Sequence, residues 1–252
     1  MIFASTLTPG SPVPPSYVGL WKRCYIQRRN CSIDSSTQAW WFQSPRFHID
    51  LRLPSDRLVL VDAHSLTQLT TQDWRRFAKQ TCFAGLTKVN SHHCEWQPEI
   101  VFPKVEEKLD AGIIRFDAPD RIHETGIDGR YTEEWSKIEV GPVVGLRLQA
   151  KHEVAYLLSS KNWVAWALGT PCTPATPSAA LSRSWTNASF AIKAQEESTD
   201  WIIHASIQRW TEGEIFSPAQ TPIIKDISHL NIGDLVSLPF SKCSMSITHI
   251  DR

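Results

Sequence analysis

The run Phe47 to Leu53 alternates strictly between apolar and ionisable residues. On a strand, Phe47, Ile49, Leu51 and Leu53 share one side and His48, Asp50 and Arg52 the other, with successive ionisable groups about 7 Å apart. An imidazole, a carboxylate and a guanidinium in a row can move a proton or fix the polar end of a ligand, provided their side faces an enclosed space. If it faces water, the same three residues are an ordinary solvated face under an apolar core. A second candidate is Tyr131, Glu133 and Trp135, which share one face of the run 131–138. Turned inward, Glu133 would sit among aromatics, where desolvation raises a carboxyl pKa and suits it to acid or base work. Turned outward, it is a surface charge. The candidate catalytic residues are therefore His48, Asp50 and Glu133.

Other chemistry is mostly missing. There is no Gly-x-Gly-x-x-Gly, no Gly-Lys-Ser/Thr phosphate loop and no Gly-x-Ser-x-Gly elbow. His92, His93 and Cys94 follow Cys82, but the spacing fits no compact zinc motif and neighbours on a strand point to opposite faces. Asp62 and His64 would share a side if extended, yet they read better as the start of a loop. No metal and no cofactor is expected.

Short strand-like runs separated by turn residues must position these groups. In the first half they fall at 18–27, 39–43, 46–53, 85–89, 94–102, 112–117, 122–127 and 131–138. The second half offers 143–149, 154–159, 162–168, 190–194, 200–210, 234–239 and 245–250. A helix fits 71–79, with Thr71 as cap, Asp73 in the first turn and basic residues toward the end. A shorter helical piece fits Ser178 to Trp185, after the Pro-rich loop Thr170 to Pro177. The strand rhythm resets near Glu139 to Pro142. The expected architecture is mostly β: two antiparallel barrels, at 16–140 and 141–252, behind a flexible leader at 1–15. Trp21, Trp40, Trp41, Trp96 and Trp135 could wall a pocket in the first barrel, with Arg23, Arg52 and Tyr131 as polar contacts; for each Trp a packed core is the commoner role.

Composition narrows the classes. With 26 Lys and Arg against 26 Asp and Glu, no charge excess favours a nucleic-acid partner. No apolar run reaches the ~18 residues that span a bilayer. The first fifteen residues lack the basic start and apolar stretch of a signal peptide. The six cysteines are irregularly spaced, which suits reduced thiols in the cytoplasm.

Several segments in order carry a resemblance. These are Tyr17 to Arg23 with its Gly19-Leu20-Trp21, Phe47 to Pro54, Gln80 to Gly85, Cys94-Glu95-Trp96, Asp110-Ala111-Gly112 and Tyr131 to Trp135. Arg209-Trp210 and the closing stretch from Gly233 to His249 add weaker landmarks. Together they resemble a family of two-domain, lipocalin-like (calycin-type) proteins of fungi and bacteria, whose yeast member is named for its interaction with a casein kinase. The resemblance implies two calycin-type barrels in a cytoplasmic protein, with the nucleus as a second location. It brings no established substrate. Three functions follow as expectations. One is binding of a small hydrophobic or amphipathic molecule in a barrel cavity. The others are a cofactor-independent isomerase or cyclase working through the same cavity, and an interaction module for a kinase or other protein.

Overall fold

The computed structural model describes residues 10–57, 68–103, 110–171, 186–195, 198–217, 227–238 and 244–252. Asp62, His64, Cys172, Cys243, most of the Pro-rich loop and the helical piece expected at 178–185 lie outside the described residues.

Among the described residues, seventeen strands form two antiparallel sheets. The first contains β1 (Gly19–Arg28), β2 (Ile33–Asp34), β3 (Gln38–Gln43), β4 (Phe47–Leu53), β5 (Thr81–Asn90), β6 (His93–Phe102), β7 (Asp110–Ala118), β8 (Arg121–Gly126) and β9 (Tyr131–Glu139). β1 pairs with both β3 and β9, so eight strands close into a barrel and only the short β2 stands outside the ring. Closure leaves no long exposed edge. Between β4 and β5, helix α1 (Thr71–Phe77) begins one residue earlier than the sequence suggests. Thr70 is the cap, and its hydroxyl and the Asp73 carboxylate satisfy each other's backbone amides.

The second sheet contains β10 (Val144–Ala150), β11 (Glu153–Ser159), β12 (Trp163–Gly169), β13 (Thr186–Lys193), β14 (Trp201–Ser206), β15 (Ile215–Phe216), β16 (Leu235–Ser237) and β17 (Ser244–Asp251). Its described edges are β15 and β16, and Phe216 and Val236 from those edges join one apolar cluster with Leu146, Leu157, Trp166 and Ile203. The sheet is thus curled around its own interior. The strand expected at 200–210 stops at Ser206, and Arg209–Thr211 form a single 3-10 turn. No described helix is long and apolar enough to cross a membrane.

Where the halves meet decides which way β4 faces. Phe47, Ile49, Leu51 and Leu53 pack outside the first barrel, in one cluster with Val154, Tyr156, Leu158, Ala165, Ala167 and Phe190. The rings of Phe47 and Tyr156 meet edge-on at 5.4 Å. β12 therefore contacts the first barrel on one face and its own interior on the other, which is why every residue of Trp163–Gly169 is buried. A strand covered on both faces reads as a continuous apolar run.

Polar groups stitch the same seam. Arg147 grips Glu99 with two hydrogen bonds of 2.8 and 2.6 Å, and the Tyr156 hydroxyl donates to the same carboxylate at 2.7 Å. Asp251 accepts from Ser44 and pairs with Arg46, both at 2.7 Å. Beside the Arg46–Asp251 pair, part of the expected leader is in place. Val13 is buried, its amide bonds Pro45 O, and Arg46 holds Gly10 O.

Candidate functional site

Because the apolar side of β4 is turned toward the second sheet, His48, Asp50 and Arg52 point into the first barrel. His48 and Asp50 are buried, and the Arg52 side chain is 28% exposed. Trp21 and Arg23 from β1, Trp41 from β3, Trp96 from β6 and Glu133 and Trp135 from β9 are buried with them. Tyr131 is half-buried at the rim. These ten residues share one interior, whereas Trp40, the neighbour of Trp41 on β3, points the other way and packs in the seam against Phe190.

That interior has two zones. In one, Tyr17, Trp21, Trp41 and Trp96 join Ile114 and Ile122 in an aromatic cluster. Trp21 and Trp41 stack with centroids 6.1 Å apart, and Trp96 meets Trp41 edge-on at 5.4 Å. The other zone is ionic. Arg23 binds Glu133 at 2.7 Å and lies over the Trp135 ring at 5.8 Å. Arg52 binds Asp50 at 2.8 Å and lies over Phe83 at 5.1 Å. Trp135 Nε1 and the Tyr131 hydroxyl both donate to Glu124, at 3.2 and 2.7 Å. Asp110, at the start of β7, is within electrostatic reach of Arg52 and Glu133.

Residues that share a strand face do not pair with one another throughout. His48 does not bond Asp50; its Nδ1 meets Thr87 Oγ1 at 3.0 Å. The direction of that bond follows from its neighbours. Trp41 Nε1 can only donate, so Gln43 presents Oε1 to it at 3.0 Å, and the Thr87 hydroxyl donates to the same oxygen at 2.8 Å. Thr87 has then spent its proton, so His48 Nδ1 carries the hydrogen and Nε2 keeps a bare lone pair. Tyr131, likewise, bonds Glu124 and not Glu133.

Burial sets the protonation. His48 is depressed to about 3 by desolvation, so its ring is neutral. Asp50 is raised to about 6 by burial, against the pull of Arg52. Glu124 is raised to about 8, first by burial and then by the Glu133 carboxylate. Burial raises Asp110 and Tyr131 as well. Among the described residues, three buried polar atoms in this interior have no hydrogen-bond partner: Arg23 Nε, Glu133 Oε2 and His48 Nε2. Among the described residues, no three His, Cys, Asp or Glu side chains are grouped to hold a metal ion.

Sequence reasoning overlooked Glu124, Asp110, Gln43 and Thr87. A signal existed for Glu124, since Ile122, Glu124 and Gly126 alternate on one face of an expected strand, and an acid between such neighbours points inward. Gly112 makes room for it: a Cβ there would lie 2.9 Å from Glu124 Cγ.

These features define a protein of two antiparallel β barrels, the first with an ionic and aromatic interior and the second with an apolar one. No family model matches the chain, and no curated protein matches it in sequence. Among solved structures, the fold is similar to that of an uncharacterised Saccharomyces cerevisiae protein, YLR301w. The TM-score is 0.55 at 12% identity, over 92% of this chain and 98% of that one. At that identity the likeness is one of fold.

Proposed function

We propose that the protein binds a small amphipathic molecule inside the first barrel, in the manner of a lipocalin-like carrier. The contrast between the two interiors carries this reading. Among the described residues of the second sheet, the only buried acids and bases are Arg147 and Asp251, and both reach across to the first half. Its core is what packing alone selects. The first barrel instead buries Arg23, Asp50, Glu124 and Glu133, although well-packed apolar residues at such sites are often as stable or more so. Polar atoms left without partners add to that cost, on the order of 1–3 kcal/mol each. Barrels of about eight strands are wide enough to hold one small ligand. The aromatic zone suits the apolar part of such a ligand and the ionic zone its polar end.

The matched fold also supports reading the chain as a member of the two-domain lipocalin-like family that its sequence resembles, with 16–140 and 141–252 as the domains.

Native mass spectrometry of protein incubated with a cell extract tests the function. One defined small molecule per chain, with occupancy reduced in Arg52→Gln, is the expected result. A chain that emerges at its bare mass after repeated incubation overturns the proposal.

A further inference from the structure

We infer that the ligand of the first barrel is a cation, a small organic amine whose ammonium group is held among Asp50, Asp110, Glu124 and Glu133. This rests on the binding role proposed above and adds the charge of the molecule.

The argument begins with charge balance. Four carboxyl groups share the ionic zone with two guanidiniums, Arg23 and Arg52. Each guanidinium is already committed, Arg23 to Glu133 and Arg52 to Asp50. Glu124 has only two neutral donors, the Tyr131 hydroxyl and the Trp135 indole. Glu133 has a free oxygen, with no partner for Oε2 although its side chain is 1% exposed. Glu124 and Glu133 stand directly opposite each other on β8 and β9, an arrangement that like charges disfavour. A positive charge placed between them would relieve that repulsion and fill the vacant acceptor. Among the described residues, the missing member of the zone is therefore a hydrogen-bond donor with positive charge.

A metal ion fits poorly, because these carboxylates are not grouped to coordinate one point. An ammonium group asks for fewer carboxylates than a metal ion: the bare Glu133 Oε2 and an aromatic face are enough to begin a site. It donates three hydrogen bonds over a wider arc and is attracted to aromatic faces, here Trp135, with the Trp41 and Trp96 rings beyond for an apolar body. Arg52, Tyr131 and Asp110 are all partly exposed, so the ionic zone reaches solvent at its edge.

Without the cation, protonation of Glu124 lowers the excess negative charge. Binding then displaces that proton. The titratable and charged groups acting on Glu124 are Arg52 on β4, Cys94 on β6, Asp110 on β7, and Tyr131 and Glu133 on β9, with Arg23 and Asp50 paired to Glu133 and Arg52, Tyr17 beside Cys94, and His48 next to Asp50 on β4. His48 is neutral, and burial raises both Cys94 and Tyr17 well out of the physiological range. Glu124 is thus the group that exchanges its proton between pH 6 and 8, with Asp50 contributing at the lower end. Affinity for the amine rises with pH over this range, by up to about tenfold per unit where one proton is released.

Two matched probe series test this with the full chain: phenethylamine, 2-phenylethanol and phenylacetate, and tryptamine, tryptophol and indole-3-acetate. Binding is read by titration calorimetry in two buffers of different ionisation enthalpy, which counts released protons. The amines are expected to bind at least about tenfold more tightly than their neutral and anionic counterparts at pH 8, a difference of about 1.4 kcal/mol. Glu124→Gln, which mimics the protonated side chain, should still bind amine but lose proton release and the pH slope. Asp110→Asn, near the rim, should weaken amine binding and leave the alcohols unaffected. Tighter binding of the alcohol or carboxylate overturns the cationic assignment and leaves the binding role standing. Failure of all six, with a neutral or anionic molecule found by native mass spectrometry, does the same. Failure of all six with no molecule found overturns both.

Discussion

Glu124 and Glu133 face each other across neighbouring strands β8 and β9, both buried, and only Glu133 has a cationic partner, Arg23. Two carboxyl groups so placed do not both ionise at neutral pH. Burial first, and then the Glu133 carboxylate opposite, raises Glu124, the one without a guanidinium, to about 8.

That shift makes stability depend on pH in a definite direction. An ordinary Glu loses its proton near 4.5, whereas folded Glu124 holds it to about 8. The stabilisation is complete below about 4.5 and declines as pH rises toward 8, by at most about 1.4 kcal/mol per unit. Glu124→Gln should therefore melt higher than the parent at pH 8.5 and close to it at pH 4.5. Melting curves at the two pH values check this.

His48 acts in the opposite sense. Its folded value of about 3 lies below the ordinary 6.5, so its contribution is complete above 6.5 and is lost as pH falls toward 3. His48→Gln, which keeps a donor for Thr87, should flatten the acid side of the stability profile. A profile as steep as the parent's below pH 6 would show that the ring takes up a proton without cost.

The strand pattern was largely legible in the sequence, and so was the alternation of β4. What alternation cannot tell is which face is the interior. In an isolated barrel Phe47, Ile49, Leu51 and Leu53 would be inside; here they cover the second sheet, so the ionisable face turns inward. That outcome depends on β11, β12 and β13, about a hundred residues later in the chain. Pairings were illegible for the same reason. Glu133 meets Arg23 and Glu99 meets Arg147 across long loops of chain, and no local spacing encodes either contact.

The seam between the halves should be sensitive to Arg147. Arg147→Met leaves Glu99 buried without its ion pair, which should cost about 3–5 kcal/mol in urea unfolding. Adding Glu99→Gln should recover a large part of the loss, because the stranded charge is then gone. Equal losses in the single and double variants would contradict this.

Gly112→Ala should press on the site, since the new methyl would stand 2.9 Å from Glu124 Cγ. A cost of about 1–3 kcal/mol is expected, relieved when Glu124 is shortened to Ala in the same chain. Additive effects of the two changes would place the strain elsewhere.

The central claim is that the first barrel and not the second holds the ligand, and the eleven tryptophans report on both. The most direct measurement is fluorine NMR of protein labelled with 5-fluorotryptophan, its signals assigned by single Trp→Phe changes, before and after addition of the small-molecule fraction of a cell extract. Shifts at Trp41, Trp96 and Trp135 with Trp166 and Trp201 unmoved are predicted. Shifts confined to Trp166 and Trp201, or none at any tryptophan, would contradict the account.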